Sequence, residues 1–549
     1  MNVFYRKNKF LRCLCVICAV MLCCLPLSSC KEEDGSGYVF RYYIDGNPQN
    51  LDPQLTVDRN AMLIIGNMMT GLVKTTNGGV LENALAESYY VSSDGLSYYF
   101  KLRKDVSWYN AATKYEAPVT ANDFVFAFRR IYDRNTHSPY AEQFACLKNA
   151  RRIMDKHVTM EIIGASEIGV SAPSDYELVF TLDYPNAEFL ELLATTAAMP
   201  CNEEFFTSTM GRYGLDAQSC ASNGAFYLKE WNYDPYWDNN YIIMRRNLPN
   251  NEINMVYPYS LNFFIEKKPE TFVEEYGKGK SDCVFSQSGN SEQFVRESVI
   301  TPYETISGGL VFSSNSQYFR NYKMRIALNY AIDRSKLSAS GGYVNAKGVV
   351  PHGVTLLNKS YRELSSEQDK SVYNSIQAMR YWHEGVTEED IKSVDVVSIL
   401  VPDSFAQADI LRSITAQWQS ELGLMCGVQV VSQTEYDSKF ASGDFDIAYV
   451  EMSCERNSPA AILERFCGSE CWQTADALYA EAVKKSLSSA TISQSVNNYS
   501  ETERMLIDTG VYIPVVYKNV YFAYDTKAQD IYADPFTGII DFSQAKYFD

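Results

Sequence analysis

LAESYYVSSDGLSYYFKLRKDVSW, residues 85–108, and PVTANDFVFAFRRIYD, residues 118–133, change period from one to the next. In the first, Tyr98, Phe100 and Leu102 alternate with Ser97, Tyr99, Lys101 and Arg103, the pattern of a strand buried on one face. The Asp94-Gly95 pair ahead of it predicts a hairpin with a strand that starts at Ala86. In the second, Phe124, Ala127, Phe128 and Ile131 recur at helical spacing, which predicts a helix with one apolar face. Thr120 is its candidate N-cap, and Asp123, three residues on, complements the exposed amides of the first turn.

Outward from this stretch both periods continue. Met324, Ala327, Leu328, Ala331 and Ile332 predict a second helix through YKMRIALNYAIDRSKL, residues 322–337. YELVFTL (176–182) and GAFYLKEW (224–231) read as strands, and β-branched, aromatic VYIPVVY (511–517) as a buried one. No repeat with a period of about 20 to 50 residues is visible. The class is mixed α/β.

At the N-terminus Arg6, Lys7, Lys9 and Arg12 lead into LRCLCVICAVMLCCLPL, then Ser28, Ser29 and Cys30. A charged region, an apolar run and small residues make a secretory leader of residues 1–29; a short membrane anchor is the alternative. KEEDGSG, residues 31–37, is polar and reads as a tether. About 520 residues remain, more than one core organises, so two or more lobes are expected. With 46% apolar residues and 40 tyrosines the chain is globular rather than disordered. Without the leader, 45 basic residues face 67 acidic ones, a net charge of -22 that repels phosphate backbones and argues against nucleic acid as a partner.

Eight cysteines lie beyond Cys30: Cys146, Cys201, Cys220, Cys283, Cys426, Cys454, Cys467 and Cys471. Export permits disulfides, and Cys467 with Cys471 and Cys201 with Cys220 are the first pairs to test. A zinc site is the rival reading, disfavoured because none of the four histidines is close to these cysteines. The run Gly277-Lys278-Gly279-Lys280-Ser281 fails as a phosphate loop, since Glu274 stands where a glycine is needed. With no GxSxG, HExxH or paired CxxC, and with His137, His157, His352 and His383 scattered, the balance moves from enzyme to binder. No catalytic residue, metal or cofactor is expected.

Several stretches together carry a resemblance: Asn50-Leu51-Asp52-Pro53, MMTGLV from Met68, the two segments quoted first, HSPYA from His137, SNGAFYLKEW from Ser222, NYKMRIALNYAIDR from Asn321, GVVPHGV from Gly348, GDFDIAYV from Gly443 and VYIPVVY. In this order the chain resembles the family 5 extracellular solute-binding proteins, the oligopeptide- and dipeptide-binding receptors of bacterial ABC importers. The resemblance implies a two-lobed, periplasmic-binding-protein-like α/β fold with an extra inserted subdomain, its lobes joined by hinge strands around a ligand cleft. Carried onto this chain, lobe I takes residues 38–75, 197–281 and 514–549, the inserted subdomain 76–196, and lobe II 282–513. Leu27-Ser28-Ser29-Cys30 resembles the bacterial lipobox, which implies lipid on Cys30, a membrane-attached protein outside the cytoplasm and an importer permease as partner.

Relatives hold the ligand ammonium with an aspartate in a motif like W-x-A-D-Y-x-x-P. Here YVEMSCERNSP follows Gly443-Asp444-Phe445-Asp446-Ile447-Ala448, so Glu455 stands for the aspartate, Met452 for the tryptophan, and Tyr449 where some relatives have arginine. The resemblance thus places ligand contacts on Tyr449, Glu451, Met452, Ser453 and Glu455, and on Val57, Asp58 and Arg59 by alignment with a segment that pairs with peptide backbone. Glu455-Arg456 as a solvated pair, Met452 as core filling and Asp58-Arg59 as a surface pair are the bland alternatives. The expected function is capture of an oligopeptide or another amine-bearing solute; a sensing receptor of the same fold and, further off, a secreted hydrolase are the rivals.

Overall fold

The structure, a computed structural model, describes residues 37–548 apart from 77–79, 156–162, 237, 251–254, 267, 287–290, 357–358, 366–371, 469–471 and 473–475. The leader, Cys30, most of the tether, His157 and Cys471 therefore lie outside the described residues.

The first body begins with β1 (Val39–Ile44) and α1 (Arg59–Met68). The expected hairpin is β2 (Ala86–Val91) and β3 (Ser97–Leu102), followed by α2 (Ala121–Tyr132). With β4 (Val170–Ser174) and β5 (Glu177–Thr181) the hairpin makes a sheet of order β2-β3-β5-β4. Then β6 (Phe226–Asn232), β7 (Tyr241–Arg246) and β8 (Ser260–Ile265) join β1 in the order β1-β8-β7-β6, with β1 parallel to β8. Tyr98, Phe100 and Leu102 face inward as their alternation requires. Phe128 of α2 meets Phe180 of β5 edge-on at 5.0 Å, so the apolar stripe of the helix closes on the sheet.

Asp123 does more than cap α2. It accepts from the Thr120 amide at 2.8 Å, from Trp108 Nε1 at 3.1 Å and from Asn202 Nδ2 at 3.1 Å, and burial pushes its carboxyl up to about 6. Arg130, on the same helix, is buried against Asp52 and Gln54, which ties the Asn50-Leu51-Asp52-Pro53 turn to α2. Cys201 and Cys220 are separate buried thiols rather than a disulfide. Cys201 Sγ faces Arg130 Nη1 at 3.5 Å, and burial pushes its thiol up to about 12.

The second body contains β9 (Cys283–Ser286), β10 (Ser298–Phe312), α3 (Tyr322–Tyr330), β11 (Tyr343–Asn345), β12 (Val397–Pro402), α4 (Ala408–Leu422), β13 (Cys426–Val431), α5 (Gln433–Ser442), β14 (Ile447–Ser453), α6 (Ile492–Asp508) and β15 (Ile513–Asp525). Its seven-stranded sheet runs β9-β15-β10-β14-β12-β13, with β11 also paired to β15. Strand alternation feeds two cores: Leu310, Phe312, Ile399 and Trp418 lie in one, Val311, Leu400, Tyr499 and Leu506 in the other. The helix expected over residues 322–337 ends at Tyr330, because the Asp333 carboxylate accepts from the Ser335 amide and starts a separate turn. Ala331 and Ile332 remain buried all the same.

Two long strands join the bodies. β10 and β15 pair antiparallel from Ser298 opposite Asp525 to Leu310 opposite Ile513, with register shifts between Glu304 and Ile306 and between Gly308 and Gly309. At one end Phe522 packs in the first core; at the other Ile513, Val515 and Leu310 pack in the second. β15 starts at Ile513, so the lobe I segment expected from residue 514 begins inside a strand the bodies share. The result is a two-lobed α/β fold.

Candidate ligand-binding site

The site is built on β14, flanked by β10 and β12. Tyr449 is 1% exposed, and its ring stacks on Phe405 with centroids 3.9 Å apart. Gly308 on the neighbouring strand has to be a glycine, since a Cβ there would run into the Tyr449 hydroxyl and Val516. The Tyr449 hydroxyl donates to Glu451 Oε1 at 3.2 Å. Glu451 also accepts from the Tyr343 hydroxyl at 3.0 Å and from Lys518 Nζ at 2.7 Å. β14, β11 and β15 thus each contribute a donor to one carboxylate. Burial, and then the Glu451 charge, hold the Tyr343 and Tyr449 phenols well above their ordinary range, so both stay neutral donors.

Beside this network is a cavity of about 340 Å³ whose wall includes Phe405, Tyr436, Phe440, Tyr449, Met452 and Trp472, with Glu451 and Arg465 among its polar lining. Tyr436 and Phe440, one turn apart on α5, stack at 5.5 Å, and Trp472 meets Phe440 edge-on at 5.5 Å. The Tyr436 hydroxyl donates to the Tyr449 carbonyl at 2.7 Å, fixing the helix to the strand. Such a chamber takes a bulky apolar or aromatic group and offers fixed polar groups for orientation.

The expected contacts divide. Tyr449, Glu451 and Met452 line one cavity. Ser453 is half-buried, and its carbonyl accepts from Arg465 Nη2 at 3.3 Å. Glu455, its side chain 75% exposed, accepts from the same Nη2 at 2.8 Å, so it joins the cavity through Arg465. Val57, Asp58 and Arg59 do not line it. Val57 is exposed, Asp58 caps α1 by accepting from the Asn60 amide at 2.8 Å, and Arg59 Nη2 donates to the Phe536 carbonyl at 2.9 Å. Phe405, Tyr436, Phe440, Trp472, Tyr343, Lys518 and Arg465 escaped the sequence reading. Only the helical spacing of Tyr436 and Phe440 gave any local signal.

A second cavity, about 570 Å³, lies where the bodies meet, lined by Asn67, Thr70 and Glu188 from the first and Arg456, Asn457 and Ser458 from the second. One run of chain, Tyr449 to Ser458, therefore serves both cavities. Among the described residues no cluster of three or more His, Cys, Asp or Glu side chains is arranged to hold a metal ion, and no helix is long and apolar enough to cross a membrane.

The family model described as bacterial extracellular solute-binding proteins, family 5 Middle, matches residues 80–474. Oligopeptide-binding protein AmiA of Streptococcus pneumoniae is 27% identical over 57% of this chain and half of its own length. Oligopeptide-binding protein AliB of the same organism is 22% identical over 89% of this chain and 86% of its own. In the solved structures, Listeria monocytogenes OppA bound to peptide superposes with a TM-score of 0.66 at 20% identity, covering 94% of this chain and all of that one. The fold is shared.

Proposed function

The chain belongs to the family 5 bacterial extracellular solute-binding proteins, and from that premise we propose that it captures oligopeptides between its lobes and delivers them to the permease of an ABC importer. The observation that carries this reading is the aromatic chamber at the end of β14, beside the run where the resemblance puts ligand contacts. One bulky peptide side chain enters it, against Phe405, Tyr449 and Met452. Glu451 and its donors orient the neighbouring backbone, and Glu455 with Arg465 meets the ligand ammonium at the rim. Val57, Asp58 and Arg59 approach the peptide from lobe I. The proposed division gives 38–75, 197–281 and 514–549 to the first lobe, 76–196 to its inserted subdomain and 282–513 to the second, with β10 and β15 running through both. Binding selects the closed form, because only there do both lobes touch the ligand, and the permease reads that form. No chemistry is performed on the ligand.

Lipid on Cys30 and the tether that follows keep the receptor beside its permease at the outer face of the cytoplasmic membrane. Cys30→Ser then releases the protein into the medium; retention on the membrane would make the leader itself the anchor. Native mass spectrometry of protein purified without refolding tests the ligand class. A set of co-purified peptides is expected, and a sugar or a metal chelate in their place would overturn the proposal.

A further inference from the structure

Glu188 is 5% exposed and belongs to the first body, at the head of the short helix Phe189–Leu193, whose Phe189 and Leu193 are part of the first core. The partners of its carboxylate are elsewhere. Tyr499, fully buried on α6 in the second body, donates its hydroxyl to Glu188 Oε1, and the Ser458 side chain stands beside the same carboxylate and favours its charged form. Burial holds the Glu188 carboxyl above its ordinary value and nearby Arg456 opposes that shift, while the Arg456 guanidinium pairs with Glu464 at 2.6 Å. Next to these, the Ala187 amide donates to the Ser489 carbonyl at 2.9 Å, again from the first body to the second. The loop that presents Glu188 is braced from behind: Tyr98 donates to the Asn186 carbonyl at 3.1 Å, and the Glu188 amide to Asn186 Oδ1 at 2.9 Å.

We propose that Glu188, Ser458 and Tyr499 form a latch that holds the two lobes shut, with Ser458 on the loop that leaves the ligand site. A carboxylate buried with donors from its own core is a permanent fixture, because breaking it leaves an uncompensated charge. Glu188 is different. Among the described residues its side-chain donors come from the other body, so separating the lobes returns carboxylate and phenol to water together and neither is left buried alone. The contact can therefore open and close as a unit without unfolding either core. Its position ties it to the ligand. Glu451 and Met452 line the aromatic chamber, and Arg456 and Ser458, next along the chain, meet Glu188, so a shift of this run on ligand entry moves both. Arg456 is a positioning residue here, since it acts on Glu188 through charge and on the loop through Glu464.

The inference rests on the reading that the lobes close over a ligand, and its test needs no ligand. Small-angle X-ray scattering and hydrogen exchange would be measured on the ligand-free mature chain and on Tyr499→Phe and Glu188→Gln. Tyr499→Phe removes one hydroxyl and keeps the ring, so the core around α6 survives. Each variant is expected to enlarge the radius of gyration and to speed exchange in segments 186–190 and 456–460 together, by about tenfold for one charge-assisted hydrogen bond. The double variant should add little to either single one, because both remove the same contact. An unchanged radius and unchanged exchange in a folded Tyr499→Phe would overturn the latch. Faster exchange confined to 186–190 at an unchanged radius would also overturn it, by making Glu188 a local brace. Failure of the wild type to bind any peptide would defeat the proposed function and leave these readings standing.

Discussion

Glu503 and Glu451 are both carboxylates gathered by several donors, yet one is sealed in a core and the other stands at a cavity. Glu503 is 0% exposed and accepts from the Val349 and Val350 amides at 2.6 and 3.2 Å, from Tyr361 at 3.1 Å and from both terminal nitrogens of Arg362. Among the described residues its donors all belong to the second body, and together they pin Val349, Val350, Tyr361 and Arg362 to α6. Glu451 keeps a quarter of its side chain open and accepts from three groups that line or border the chamber. A sealed carboxylate gives up a donor only by unfolding. One with access to water exchanges a donor for a ligand group at small cost, and binding needs that second kind.

The largest effect should come from the sealed pair. Arg362→Ala leaves Glu503 buried and short of its cation, which lowers stability by about 3–5 kcal/mol. Chemical denaturation reads it as a shifted midpoint, with peptide affinity of the folded fraction unchanged. A loss below about 1 kcal/mol, the range of exposed pairs, would erase the contrast with Glu451. Gly308→Ala comes next, because its methyl group meets the Tyr449 hydroxyl and Val516 on a hinge strand. Overpacking of this kind costs about 1–3 kcal/mol, and here it also displaces a wall of the chamber. Thermal stability and peptide affinity should therefore fall together. If stability alone fell, Tyr449 would be a core residue and not a ligand contact.

Glu451→Gln sharpens the comparison from the other side. Stability should change by no more than about 1 kcal/mol, since Lys518 and the two tyrosines retain an amide oxygen and access to water. Affinity for a co-purified peptide should fall by about tenfold in calorimetry, the share of one charge-assisted hydrogen bond. A large stability loss with full affinity would put Glu451 in the same class as Glu503.

The legible parts were those whose signal is local. Tyr98-Phe100-Leu102 and Phe124-Phe128-Ile131 revealed a strand and a helix because burial repeats along each element. Asp123 was recognised as a first-turn residue, but its bonds to Trp108 and Asn202 come from other elements. Neighbouring motif positions point to the run from Tyr449 to Glu455 as a candidate, yet not to which side chains meet. Glu451 is still on a strand, where alternation and cross-strand partners fix it, and Glu455 lies past the strand end, where they do not. Tyr343 and Lys518 reach Glu451 across long separations in the chain, and no period records such a contact.

Glu455 is therefore where the smallest effect is expected. Its side chain is mostly in water and its one described partner is Arg465, so removing it should change stability by less than about 0.5 kcal/mol. Its importance, if it is the ammonium anchor, shows only when a ligand displaces water from the rim and the pair with Arg465 is re-formed around a positive end group. Glu455→Ala should then weaken a free-amine peptide several-fold in calorimetry and leave its N-acetylated counterpart unaffected, because acetylation removes the charge that the carboxylate reads. Equal affinities of wild type and variant for every peptide would transfer the anchoring to the Glu451 network, which already fixes a carboxylate at the chamber with three donors.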